Sequence, residues 1–184
     1  MGLQHILIAA LLCLTSCRVG DTDQAGETTS EPPSLPAEKA SKQREILAIR
    51  LTRSPCFGSC PIYEVELLAN GQVNFVGEGF VEQKGAHTSM IAPENFAKLA
   101  AQVKAIGFFS MREQYFNTQD GCITTVTDHP SATVVVASST GDKQVLYYYG
   151  CRGLALGPQL KELADLIDQV AGTKQWVGDR ARAP

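Results

Sequence analysis

The chain has 184 residues, 44% of them hydrophobic, and a formal net charge of -3 from 16 Lys and Arg against 19 Asp and Glu. The basic residues are dispersed, so the clustered positive footprint of a nucleic-acid binder is excluded. No internal repeat is evident, and the length suits one folded domain with appended segments.

Residues 6–14 form an apolar run too short to span a bilayer comfortably as a mature helix, which favours a signal-peptide core. The run ends in Leu14-Thr15-Ser16-Cys17: a branched apolar residue, two small ones, then a cysteine. This resembles the lipobox of a bacterial lipoprotein precursor. The resemblance implies that residues 1–16 are a signal peptide, and that Cys17 is lipidated, with palmitate among its chains, and becomes the new N-terminus. Stable anchoring needs more than one acyl chain, because a single one binds membranes only marginally. The segment Met1-Gly2-Leu3-Gln4-His5 carries no Lys or Arg, and an ordinary signal peptide with an incidental cysteine is the other reading. Arg18, where an Asp would retain the protein, points by the same resemblance to the outer membrane, facing the periplasm or the cell surface. From there to residue 44 the chain is rich in Thr, Ser, Glu, Gly and Pro, with little to bury, so residues 17–44 read as the lipid site and a flexible tether.

Residues 45–172 hold the folded domain. Residues 46–53 predict a strand with Leu47, Ile49 and Leu51 on one face. A compact turn follows, Arg53-Ser54-Pro55-Cys56-Phe57-Gly58-Ser59-Cys60-Pro61. Residues 62–68 alternate again, with Tyr63, Val65 and Leu67 inward. Asn70-Gly71 signals a hairpin into residues 72–76. A two-residue loop would mix the faces. A three-residue loop with Gly71 left-handed pairs Leu67 with Val73 and Val65 with Phe75. Gly77, Gly79 and Gly85 then loosen the chain. Pro93 opens a helix with the stripe Phe96, Leu99, Ala100, Val103 and Ile106, closed by Gly107. Phe108, Phe109, Tyr115 and Phe116 are expected to seal the core. Residues 133–137 and 144–149 form a second hairpin around Thr140-Gly141-Asp142, in which Tyr147, Tyr148 and Tyr149 must alternate faces and leave at least one exposed. Gly157-Pro158 opens a second helix with Leu160, Leu163, Ala164, Ile167 and Val170 inward and Gly172 as its stop. Residues 173–184, with Trp176, Arg180 and Arg182, read as a frayed tail. The expected fold is α+β: a largely antiparallel sheet of about five strands, in the order β-β-β-α-β-β-α, with two helices packed on one face.

The stretch Leu51-Thr52-Arg53-Ser54-Pro55-Cys56-Phe57-Gly58-Ser59-Cys60-Pro61-Ile62-Tyr63, followed by Asn70-Gly71 and Gly77 and later by Thr127-Asp128-His129-Pro130, resembles the domain of unknown function numbered 6438. The likeness covers about residues 46–170. It implies a small bacterial secreted or lipid-anchored protein and carries no activity with it.

Of six cysteines, Cys13 leaves with the leader and Cys17 takes lipid. Cys56, Cys60, Cys122 and Cys151 remain in an exported domain. Four cysteines allow three pairings, and an oxidising compartment favours disulfides. Cys56–Cys60 is local, and Cys122–Cys151 would clamp the second hairpin to its incoming loop. That longer loop contributes roughly 3 to 4 kcal/mol on the chain-entropy estimate, the short one less. A redox role for Cys56 and Cys60 would need a lowered thiol pKa, usually supplied by a helix N-terminus, whereas Pro61 leads into a strand. A metal site would need two further ligands, and His87 and His129 have no ligand spacing to another donor. Asp120, Asp128 and His129 share one loop and form the candidate functional loop for acid–base work, against the reading of Asp128 as turn chemistry. No cofactor motif is present. The expected function is a non-enzymatic, lipid-anchored envelope domain that binds an envelope protein or glycan through exposed apolar or aromatic surface on the sheet. The alternative is a thiol-disulfide or other enzyme built on the Cys56/Cys60 turn.

Overall fold

The computed structural model describes residues 44–179. The leader over residues 1–16, the lipid site at Cys17, the tether as far as residue 43, and Arg180 and Arg182 lie outside the described residues. Among the described residues nine strands and three α-helices follow one another as β1 (Ile46–Arg53), β2 (Ile62–Leu68), β3 (Gln72–Gly79), β4 (Gly85–Met90), α1 (Pro93–Ala105), β5 (Gln114–Tyr115), β6 (Thr124–Thr125), β7 (Ser131–Ser138), β8 (Lys143–Tyr148), β9 (Cys151–Arg152), α2 (Gly157–Ala171) and α3 (Lys174–Val177).

Seven strands make one sheet in the order β4-β3-β2-β1-β7-β8-β5, and β6 pairs with β9 in a small second sheet. Every pairing is antiparallel except β5 with β8. The α+β class and the antiparallel dominance therefore hold, while the sheet has seven strands where about five were expected, and there are three helices where two were expected. The first hairpin has the anticipated bulged register: Leu67 faces Val73 and Val65 faces Phe75. Gly71 sits at φ 88°, and a Cβ there would run into the carbonyl oxygen of Ile91, so glycine is required twice over.

Three departures have physical causes. First, the register of β1 against β7 shifts between Ile46 and Ala48. The extra residue turns Leu47 outward, to 45% exposure, and puts Ile46 in the core beside Ile49 and Leu51. Second, Gly77 and Gly79 do not loosen the chain. They lie within β3, and Gly85 begins β4, whose Gly-Ala-His-Thr-Ser-Met sequence has no apolar alternation and is held as a strand by the ladder of β3. Third, residues 173–179 are not frayed. Gly172 closes α2 at φ 68°, the chain turns into α3, and Trp176 and Val177 are buried. The Trp176 ring stacks on Phe75 with centroids 4.8 Å apart.

The helices cover one face of the sheet. Phe96, Leu99 and Val103 of α1 and Leu160, Leu163, Ala164 and Ile167 of α2 join the inward rows Tyr63, Val65, Leu67, Val73, Phe75, Val134, Val136 and Val145 in a single core. Phe108 and Tyr115 are buried there as expected and Phe109 packs against it, but Phe116 stays 47% exposed. The opposite face is open, with Arg50 of β1 lying 3.9 Å from Glu64 and 3.8 Å from Glu66 on β2.

Replacing Trp176 by Ala removes a buried aromatic from this core and is expected to cost about 3–5 kcal/mol in urea denaturation. A frayed tail would show a change within about 0.5 kcal/mol.

Candidate functional site

Arg53 is the last residue of β1 and shares the inward face with Ile49 and Leu51, so its guanidinium is delivered under α2. Its side chain is 14% exposed. Asp168 meets it from α2: Nη2 and Nε of Arg53 donate to Oδ2 at 2.6 and 3.2 Å, and Nη2 also donates to Asp165 Oδ1 at 3.1 Å. Arg53 Nη1 bonds the Tyr149 hydroxyl. The other carboxylate oxygen of Asp168 accepts from Tyr63 Oη at 2.7 Å and from Thr173 Oγ1 at 3.0 Å. The charge is thereby compensated and the carboxylate satisfied on both oxygens. Burial works against the Arg53 charge, but Asp168, Tyr149 and Tyr63 together outweigh it and hold the guanidinium above its ordinary range. Burial, then the Asp168 charge, raises the Tyr63 phenol well above the ordinary tyrosine range. Burial also pushes Tyr149 up to about 12, against the pull of Arg53.

The cysteine turn starts next to this clamp. Ser54 N donates to Ser131 O at 3.1 Å and Ser131 N donates to Ser54 Oγ at 2.7 Å, so β1 stays zipped to β7 as the turn begins. Cys56 and Cys60 lie at disulfide distance, with Cα atoms 5.7 Å apart. Between them Phe57 is 89% exposed, its amide donating to Asp128 O at 3.2 Å. Cys60 is buried at the edge of a cleft of about 40 Å³ that it shares with Arg53, Tyr63, Pro130 and Tyr149. That volume holds water, not a metabolite, for which sites of about 300–1,000 Å³ are usual. Cys60 leads into β2, not into a helix N-terminus, and the Arg53 cation in its cleft is paired with Asp168.

The second pair, Cys122 and Cys151, also lies at disulfide distance, with Cα atoms 5.2 Å apart. It holds the two-residue strands β6 and β9 together and leaves the neighbouring Ile123 74% exposed. Ile123 N donates to Arg152 O at 2.8 Å, and Val126 N donates to Gly150 O at 2.9 Å. Tyr148 Oη donates to Val126 O at 2.8 Å, and Phe116 covers the Tyr148 ring at a centroid distance of 4.8 Å. Tyr147, Tyr148 and Tyr149 are consequently all half-buried, and the expected exposed tyrosine is replaced by an exposed Phe116.

Asp120, Asp128 and His129 are not brought together by any hydrogen bond. Asp120 accepts from the amides of Phe116 and Asn117, at 3.1 and 3.2 Å, in a capping box over the 3-10 turn that follows. Asp128 sits in the left-handed region at φ 70° and its carboxylate accepts from Thr127 Oγ1 at 3.0 Å, so it is turn chemistry with a hydroxyl as partner. His129 Nε2 lies 3.2 Å from Arg152 Nη2. Among the described residues no three His, Cys, Asp or Glu side chains are grouped to hold a metal ion.

What these segments do share is an end of the sheet. β1 and β8 finish there, β2 and β7 start there, and β3 turns there into β4. Among the described residues eight large apolar side chains are exposed, and five of them (Phe57, Phe80, Phe116, Ile123 and Val126) lie at this end. Most of the exposed apolar residues are thus at the rim, while Leu47, Val76 and Met90 lie on strands of the sheet, where such surface was expected. The residues that sequence reasoning missed are Arg53, Asp168 and Tyr149. An arginine in an inward strand position and an aspartate beside Ile167 on the apolar side of a helix were the available signals.

Tyr63 and Tyr149 should be missing from the ordinary tyrosine step near pH ~10 when phenolate absorbance is followed in the folded domain, and should join it in denaturant. Because the unfolded chain releases those protons first, stability should fall as pH rises from about 10 towards 12. Simultaneous ionisation of all tyrosines in the folded state would contradict the buried network.

A comparison with curated proteins finds no match. A family model for the domain of unknown function DUF6438 matches residues 47–171, which spans the sheet from the second residue of β1 onward and both long helices. The chain belongs to the DUF6438 family.

Proposed function

We propose that the chain is a bacterial envelope lipoprotein, acylated at Cys17, whose folded domain is a non-enzymatic binding module. Its contact surface is the disulfide-braced end of the sheet, and its partner is another envelope component, a protein or a glycan with an apolar face. The observation that carries this reading is the gathering of Phe57, Phe80, Phe116, Ile123 and Val126 at one end. Monomeric proteins seldom expose such sets without using them. Two of these residues directly follow a paired cysteine, Phe57 after Cys56 and Ile123 after Cys122, so both are displayed on stapled loops. Rigid apolar anchors of this kind lose little entropy on binding.

Replacing Cys17 by Ala should abolish palmitate labelling and move the protein from the detergent phase to the aqueous phase. For the surface, a photo-crosslinking residue placed at Phe57 of the full chain in cells should give a discrete adduct. Adding Ile123→Ser should remove that adduct while changing stability by no more than about 0.5 kcal/mol. The same probe at Val76 on the open sheet face should give none. Equal adducts from both positions, or none from Phe57, would contradict the assigned surface.

A further inference from the structure

The sheet has a long free edge at β4. β4 pairs only with β3, and the other edge strand, β5, has two residues. Ile91 N donates to Gly71 O at 2.9 Å, which fixes the phase of the β3–β4 ladder. Ser89 and His87 are then the hydrogen-bonded partners of Val73 and Phe75, while Met90, Thr88 and Ala86 oppose Gln72, Asn74 and Val76 without bonds. Ala86, Thr88 and Met90 therefore direct three amides and three carbonyls away from the sheet. All three residues are exposed, and no hydrogen bond among the described residues reaches those groups.

Edge strands of this length are normally blunted by charge, proline or a bulge. β4 has none of these: Gly85-Ala86-His87-Thr88-Ser89-Met90 holds no Lys, Arg, Asp, Glu or Pro, and its register is unbroken. We infer that β4 pairs antiparallel with β4 of a second copy of this chain, about a two-fold axis at Thr88. The segment is complementary to itself in that register. Thr88 faces the other copy's Thr88, small Ala86 faces the other Met90, and His87 faces the other Ser89. The three outward residues of each copy then exchange six backbone hydrogen bonds. No like charges meet within the strand, and Thr–Thr pairs are favourable neighbours across a ladder. The interface is isologous, so it closes as a dimer and leaves no further edge of comparable length.

The test uses the full mature chain in detergent solution. Thr88→Cys should form an intermolecular disulfide under mild oxidation, because hydrogen-bonded antiparallel partners stand at a Cα separation of about 5.5 Å, within disulfide range. Thr133→Cys, inside the sheet on β7, should not. The native chain should sediment with a concentration-dependent mass rising to twice that of the monomer. Thr88→Lys, which places like charges across the axis, should halve that mass without unfolding the protein. A native chain that stays monomeric to its solubility limit, or Thr88→Cys crosslinking no faster than Thr133→Cys, would overturn the pairing. So would a dimer that survives Thr88→Lys. A monomer whose β4 amides become protected from exchange only on adding an envelope extract would give the edge to a foreign strand, and would equally overturn it.

Discussion

The ion pair between Arg53 and Asp168 is the constraint on which the rest of this domain depends. A guanidinium cannot be taken out of water without a partner, and Arg53 is brought inward by the alternation of β1, in which Ile49 and Leu51 occupy the same face. The partner has to come from the helix layer. Asp168 on α2 supplies it, and in doing so joins the end of the central strand to the helix that covers it. Tyr63 from β2, Tyr149 from just beyond β8 and Thr173 from just beyond α2 complete the hydrogen bonding. Five segments meet at one charge, so the position of each at this end of the sheet is set by the others.

The cysteine turn begins one residue after Arg53's neighbour Ser54, and its geometry inherits that anchoring. The loops at this end have little core of their own: β6 and β9 are two residues each, too short to persist by strand pairing alone. Covalent ties compensate. Closing the loop between Cys122 and Cys151, 29 residues apart, contributes roughly 3.5 kcal/mol through the unfolded state, and the four-residue separation of Cys56 and Cys60 roughly 2 kcal/mol. The consequence for function is that exposed Phe57 and Ile123 are displayed by constrained backbone instead of collapsing onto the core.

Much of this was legible in the sequence because it is local. The three-residue hairpin loop follows from matching faces across Asn70-Gly71, and the helical stripes of α1 and α2 follow from their periodicity and terminal Pro and Gly residues. The cysteine pairing was one of three that the sequence allowed, favoured by chain position. What was not legible depends on partners distant in sequence. β4 is a strand only because β3 offers it a ladder, and the β1 bulge that exchanges Leu47 for Ile46 arises against β7. Trp176 is buried only because Phe75, a hundred residues earlier, presents a ring to stack on. The site divides in the same way. Cys56, Cys60, Cys122 and Cys151 were evident, whereas Asp120, Asp128 and His129 suggested acid–base chemistry that their separate hydrogen bonding does not assemble. Arg53 and Asp168 lie 115 residues apart, and only the fold shows that they answer one another.

The most direct measurement is a double-mutant cycle on that pair, with Arg53→Met, Asp168→Leu and the combined variant compared by denaturant unfolding. Arg53→Met leaves the Asp168 carboxylate without its cation and Asp168→Leu leaves Arg53 only the exposed Asp165 carboxylate, and each is expected to cost about 3–5 kcal/mol. The double variant, in which both charges give way to apolar groups, should be more stable than either single one, with a coupling of at least about 1 kcal/mol. Strict additivity of the two changes would contradict the account, because the strand and the helix would then be held together without the clamp.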